Sequence, residues 1–174
     1  MKKTLTAILA IALALGAVAT SCTGQPTTNG GTAGPPEVGK LVPDFELDTL
    51  DGQTVVLSQL SGTPVLLNFW ATWCGPCRHE MPYLQQVYED WPGDELVLLT
   101  INIGESPSQV AEFMQGQGLS FPVLLDSQGE IAEKYGIRGI PTTFFIDKDG
   151  IIQDIRIGAF QSKAEIESSL SKLK

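Results

Sequence analysis

The sequence holds one histidine, three cysteines, and 11 basic against 20 acidic side chains in 174 residues. Each scarcity closes a class of function. A formal net charge of −9 offers no positive field for a phosphate backbone, so a nucleic-acid partner is not expected. A structural zinc site needs four Cys/His ligands, and a Cys2His copper site needs a histidine facing both sulfurs. His79, the one histidine, follows Cys77 by two positions and is expected on the outer surface of a helix. Neither a metal nor another cofactor is expected. Long apolar runs are missing too: Leu5 to Ala19 is about 15 residues, short of the ~20 that span a bilayer as a helix and near the upper end for a signal-peptide core. No stretch repeats. The length suffices for one domain with a sizeable core.

The cysteines divide into a lone Cys22 and the pair Cys74/Cys77. A basic start (Met1-Lys2-Lys3), the apolar run and the small residues Ala19-Thr20-Ser21 lead directly into Cys22. Together these resemble a bacterial lipoprotein signal, in which the cysteine is diacylated and becomes the mature N-terminus. The resemblance implies a signal peptide over residues 1–21 and lipidation of Cys22, which also accounts for the odd thiol. Ala19 stands where such signals usually carry leucine; a cleaved secretory signal and an uncleaved anchor are the other readings. Residues 22–36 are rich in Gly, Thr and Pro and carry no charge, so they cannot bury enough surface to order themselves. They are expected to be a flexible tether with a typical span on the order of 20 Å, holding the domain at a membrane face.

Residues 37–174 carry globular patterning. Pro43–Leu47 and Thr54–Leu57 flank Asp51-Gly52, a hairpin turn, and Ser58-Gln59-Leu60 reads as a short helical turn. Pro64–Phe69 and Leu96–Ile103 are continuous apolar runs, expected as strands buried on both faces. Helices are expected from Gly75 to about Tyr88, kinked at Pro82, and from Ser106-Pro107 to Gly116-Gln117-Gly118. A short strand over Phe121–Leu125, a short helix over Ile131–Tyr135, strands from Thr142 and over Ile151–Ile157, and a helix from Ser162 to Leu173 complete the chain. These mixed βαβ and ββα units imply a three-layer α/β domain.

The chemistry concentrates in Trp73-Cys74-Gly75-Pro76-Cys77, at the end of a buried strand and the mouth of a helix. Two cysteines at this spacing lie close enough to form a disulfide. Helix N-terminal N–H groups favour a thiolate at the first, so Cys74 is the expected nucleophile and Cys77, one turn in, the resolving thiol. Lowering a thiol pKa from ~8.5 to ~7 raises its ionised fraction at neutral pH about sixteen-fold, while the fall in nucleophilicity takes back roughly five-fold. The larger gain comes from a second thiol already placed to resolve the mixed disulfide. A purely structural disulfide is the plain alternative, but it would close too short a loop to stabilise much.

Trp73-Cys74-Gly75-Pro76-Cys77 after an apolar strand, with Gly139-Ile140-Pro141-Thr142 further on, closely resembles the thioredoxin fold, over about Glu37 to Lys174. The N-terminal hairpin and an inserted helix-strand segment (about Ser106 to Leu125) resemble the membrane-tethered thiol–disulfide oxidoreductases of the TlpA/ResA type, within the AhpC/TSA–redoxin superfamily. The resemblance implies a three-layer α/β/α domain with a mixed central sheet. It implies attack by Cys74, resolution by Cys77, and a cis Ile140–Pro141 bond that turns the Ile140 backbone toward the sulfurs. Trp73, Gly75, Pro76 and Ile140 would then meet the substrate. Glu80 matches an acidic residue of this subgroup, on the same helical face as Cys77 and able to move a proton for the buried thiol; favourable placement of an acid near a helix N-terminus is the plain alternative. Asn68 occupies the strand position where thioredoxin has a buried aspartate, which turns attention to Glu80.

The implied activity is disulfide reduction outside the cytoplasmic membrane, with electrons passing from a membrane donor protein to cysteines of a client such as apocytochrome c. An oxidising compartment demands such a donor. The Gly75-Pro76 dipeptide is that of reducing thioredoxins, at about −270 mV in the type case. The same parts serve a disulfide oxidase or isomerase. A thiol peroxidase is the other enzymatic reading, because Val42-Pro43-Asp44-Phe45 and the following hairpin also resemble peroxiredoxins. Those proteins carry Thr three residues before the peroxidatic cysteine, where this chain has Ala71.

Overall fold

The computed structural model describes residues 35–173. Cys22, the signal segment and most of the tether lie outside the described residues. In chain order the elements are β1 (Glu46–Asp48), β2 (Thr54–Val56), a 3-10 turn (Leu57–Leu60), β3 (Val65–Trp70), α1 (Gly75–Asp90), β4 (Val97–Ile103), α2 (Pro107–Gln117), β5 (Val123–Asp126), α3 (Glu130–Lys134), β6 (Thr142–Ile146), β7 (Ile152–Ile157), α4 (Lys163–Leu170) and a closing 3-10 turn, Ser171–Leu173. Among the described residues no helix is long and apolar enough to cross a membrane.

A five-stranded sheet ordered β5-β4-β3-β6-β7 forms the middle layer. β3 pairs parallel with β4 and antiparallel with β6, so the sheet is mixed, and β3 is its central strand. Every residue of Val65–Trp70 is buried, which is why the run shows no polar alternation. Alternate side chains serve two cores. Leu66, Trp70, Leu98, Val123 and Phe145 meet α1, α2 and α4 through Met81, Leu84, Val110, Met114 and Ile166. On the opposite face Leu67, Phe69, Leu99, Phe144 and Ile146 meet Leu57 and, at α3, Ala132 and Tyr135. The three-layer α/β/α thioredoxin architecture follows from this double burial.

The hairpin β1–β2 closes through Thr49 and Gln53 around Asp51-Gly52, with Gly52 at φ 81. It covers an exposed edge of the main sheet: Thr49 bridges Leu124 of β5, and the Leu50 N–H donates to the Val123 carbonyl. At the other edge Leu41 bridges Ile151 beside β7. α2 and β5 are the inserted helix-strand segment. Ser106 and Gln109 form a full capping box, and Gly118, at φ 65, ends the helix.

Three expected boundaries shift. The first strand begins at Glu46 rather than Pro43, because Asp44 accepts from the backbone N–H groups of Phe45 and Ser58 and forms a turn there. α1 runs through Pro82 and on to Asp90. The last helix stops at Leu170 and tightens into a 3-10 turn before Leu173.

Candidate active site

α1 begins where β3 ends, so its N-terminus stands at the carboxyl edge of the central parallel pair. In α/β folds this edge is where ligands bind. Cys74 is the N-cap of α1, and its sulfur accepts the Cys77 N–H at 3.1 Å. Cys74 and Cys77 are joined as a disulfide with their Cα atoms 5.2 Å apart. Cys74 retains slight exposure while Cys77 is fully buried. Attack from outside therefore reaches Cys74, and Cys77 faces the interior. Gly75 and Pro76 are the first two helical residues; the missing Pro76 N–H is one that no helical carbonyl would accept.

The facing wall is the loop leading into β6. The Ile140–Pro141 peptide bond is cis, and the Ile140 carbonyl oxygen lies 3.6 Å from Cys74 Sγ. The loop is tied at both ends. Thr142 Oγ1 donates to the Gly139 carbonyl at 2.7 Å, and the Gly158 N–H donates to the Pro141 carbonyl at 2.8 Å. Pro141 is buried and Ile140 half-buried. Trp73 projects from the motif with 72% exposure, the most exposed aromatic of the described core. His79 is exposed and edge-on to Tyr83 at 5.9 Å, on the outer side of α1.

Behind Cys77, Glu80 is completely buried. Its carboxyl accepts from Asn68 Nδ2 and from the Phe160 N–H, each at 2.9 Å. Burial pushes its pKa up to about 7, against the opposing pull of those two donors and of the Arg156 charge. Asn68 also donates to Thr143 Oγ1 at 2.9 Å, linking β3, α1 and β6 beneath the disulfide. Asn68, whose lack of a carboxyl turned attention to Glu80 in the sequence, is the direct partner of Glu80.

A second glutamate escaped the sequence reading. Glu105, just past β4, is almost fully buried. It accepts from the Thr72 N–H and from Asn102 Nδ2, each at 2.7 Å, and from the Thr72 hydroxyl. Thr72 lies in the turn that delivers Cys74, so Glu105 fixes the approach to the motif. Its sequence neighbourhood shows only a helix start at Ser106. The one available signal was position: a carboxylate at the carboxyl end of a central parallel strand, where α/β sites assemble.

Comparison with known proteins agrees with this geometry. The sequence model of the AhpC/TSA family matches residues 38–155. Over 137 residues the chain is 39% identical to the thiol–disulfide oxidoreductase ResA of Geobacillus thermodenitrificans, covering 79% of this chain and 78% of that protein. The crystal structure of StoA from Bacillus subtilis is similar at TM-score 0.64 and 34% identity, across 75% of this chain and 98% of that one. The exposed lipoprotein thioredoxin Etrx1 of Streptococcus pneumoniae is similar at TM-score 0.65 and 35% identity, across 75% of this chain and 100% of that one. With a disulfide capping α1 and a cis-proline facing it, the chain belongs to the AhpC/TSA family and is a thiol–disulfide oxidoreductase of the ResA type.

Proposed function

We propose that this protein is a membrane-tethered disulfide reductase working on the outer side of the cytoplasmic membrane. One observation carries the reading of the site: a partly accessible sulfur (Cys74) backed by a buried one (Cys77), with the buried Glu80 carboxyl close behind on the same helical face. In the reduced protein the Cys74 thiolate attacks a client disulfide. One client sulfur leaves as a thiolate and a mixed disulfide forms. Cys77 then gives its proton to Glu80 and attacks Cys74 Sγ, releasing the second client sulfur. Two thiols of this protein become a disulfide as one client disulfide becomes two thiols. A carboxyl with a pKa near 7 is matched to accept that proton at neutral pH.

Pro141 and the Ile140 backbone form the wall against which an extended client segment pairs, and Trp73, Gly75 and Pro76 make the facing rim. Tethering rests on the signal-like start and Cys22, and is in keeping with the lipoprotein character of the pneumococcal relative. The client is a cysteine-bearing protein, with apocytochrome c the leading candidate, and a membrane protein supplies the electrons. The reducing direction rests on the Gly75-Pro76 dipeptide. A peroxidase reading gains nothing from Thr72, whose hydroxyl is held by Glu105 rather than turned to Cys74.

Cys77→Ala traps the client. In cells carrying this variant, Cys74 is expected to accumulate in a mixed disulfide with a protein whose own cysteines are oxidised when this protein is absent. Recovery of no such partner would contradict the reductase reading, and partners that lose disulfides only when this protein is deleted would reverse the assigned direction. Labelled palmitate appearing at Cys22, and lost in Cys22→Ala, tests the anchor.

A further inference from the structure

Asn68 carries an observation that thiol exchange does not use. Its amide is fully buried in the middle of β3, where a polar side chain is costly unless satisfied. Nδ2 spends both hydrogens, one on Glu80 Oε1 and one on Thr143 Oγ1, while Oδ1 has no partner. Thr143 receives a bond here, and its own hydroxyl hydrogen finds no acceptor among the described residues. This arrangement suits Glu80 as a carboxylate, which needs donors. It is wrong for the protonated acid, whose O–H needs an acceptor.

A half-turn of the amide exchanges Oδ1 and Nδ2 and reverses both bonds. Oδ1 then accepts from the Glu80 O–H on one side and from the Thr143 O–H on the other. Each orientation pairs with both Glu80 and Thr143, one for each charge state of Glu80, and leaves the amide's other atom, Oδ1 in one and Nδ2 in the other, without a partner. An aspartate at this position would add a second negative charge, and a leucine would leave either state of Glu80 without this partner. We propose that Asn68 is a positioning residue whose amide inverts with the protonation of Glu80, keeping the Thr143–Asn68–Glu80 chain hydrogen-bonded on both sides of the proton transfer. This rests on the reading of Glu80 as the proton acceptor of Cys77. The proton itself passes only between Cys77 Sγ and Glu80; Asn68 reorients and carries none.

The other groups facing Glu80 hold their state while it changes. From β7, Arg156 favours the carboxylate, and it is paired with Glu165 of α4 at 2.9 Å. From the loop between β7 and α4, the Phe160 N–H donates to Oε2 in both states. From α1 there is Cys77. β3 and β6 contribute only the neutral Asn68 and Thr143. The amide is the one partner able to change from donor to acceptor.

The test follows the Asn68 Nδ2–H and Glu80 Cδ resonances of the oxidised, isotopically labelled full-length chain as pH is raised. The two are expected to titrate with one shared midpoint, both amide protons changing environment as Oδ1 leaves Glu80 and Nδ2 takes its place. Asn68→Leu removes the partner of both states, but the bond to the carboxylate is charge-assisted and the stronger, so the Glu80 midpoint is expected to rise by about one pH unit, and Asn68→Gln to restore part of it. An Asn68 amide that stays still while Glu80 titrates overturns the inversion and leaves the proton-acceptor reading standing. A Glu80 that never titrates across the neutral range overturns both. Asn68→Leu that lowers stability without moving the midpoint reduces Asn68 to a packing residue and also overturns the proposal. The first readout needs no substitution, so it survives any variant that fails to fold.

Discussion

Two buried glutamates attend the stretch around the disulfide, Glu105 through Thr72 before it and Glu80 in the helix after it, and they are held in different ways. Glu105 gathers three donors; the two from Thr72 define where the turn before Cys74 runs, and the third ties Glu105 to Asn102 of β4. Glu80 has two, from Asn68 and the Phe160 N–H, and sits one helical turn behind Cys77. Glu105 touches the backbone that leads to the nucleophile; Glu80 is buried three residues on from the resolving thiol in the same helix. The contrast separates two tasks that a buried carboxylate can perform. One fixes geometry through many bonds, and the other stays near its titration point because burial outweighs few bonds.

The largest expected break in this comparison comes from Glu105→Ala. It removes the acceptor for three hydrogen bonds and strands the Thr72 N–H and Asn102 Nδ2 in a buried region, at a cost of roughly 3–4 kcal/mol. Urea denaturation of the oxidised protein reads this, and a loss near zero would deny Glu105 its fixing role.

The next effect belongs to Glu80 and depends on pH. Its carboxyl releases the proton near 4.5 when unfolded and near 7 when folded. Between those values the unfolded chain has given up a proton that the folded one keeps, so stability falls as pH rises and levels off above 7. The loss from this group is on the order of 3 kcal/mol. Glu80→Gln should flatten that part of the stability–pH curve, and an unchanged slope would place the titration elsewhere. Glu105→Gln sharpens the contrast, because it keeps the side chain's shape but weakens its acceptor set, and should cost about 1 kcal/mol in the same urea denaturation. Arg156→Gln is the smallest. Arg156 is partly exposed and shared with Glu165, so its removal should raise the Glu80 midpoint by roughly a few tenths of a pH unit.

What was legible in the sequence was whatever local pattern dictates. The apolar run Pro64–Phe69 showed a doubly buried strand, Ser106-Pro107 showed a helix start, and Asp51-Gly52 showed a hairpin turn. Cys74, Cys77 and Glu80 were visible because they recur at every third position of one motif at the start of α1, and Pro141 because its loop has a recognisable form. Contacts between strand ends were not visible. Glu105 and Thr72 are brought together only when β3 and β4 pair in register, Trp70 opposite Asn102. Asn68 and Glu80 meet because α1 folds back across β3, and no spacing rule along the chain announces that. Asp126 is a further case: its carboxylate receives the first N–H groups of α3, from Ile131 and Ala132, and so fixes a helix whose own N-cap is the side-chain-free Gly129.

The central claim is that Glu80 takes the Cys77 proton when the mixed disulfide resolves. Its most direct measurement is the rate of that single step against pH, from a preformed Cys74 mixed disulfide with a small thiol, in the unsubstituted protein and in Glu80→Gln. The unsubstituted rate should rise through the Glu80 midpoint near 7 and then level off. The variant should be slower at neutral pH and keep climbing, about tenfold per pH unit, through the range where the unsubstituted protein has levelled off. Superimposable profiles in the two proteins would contradict the account.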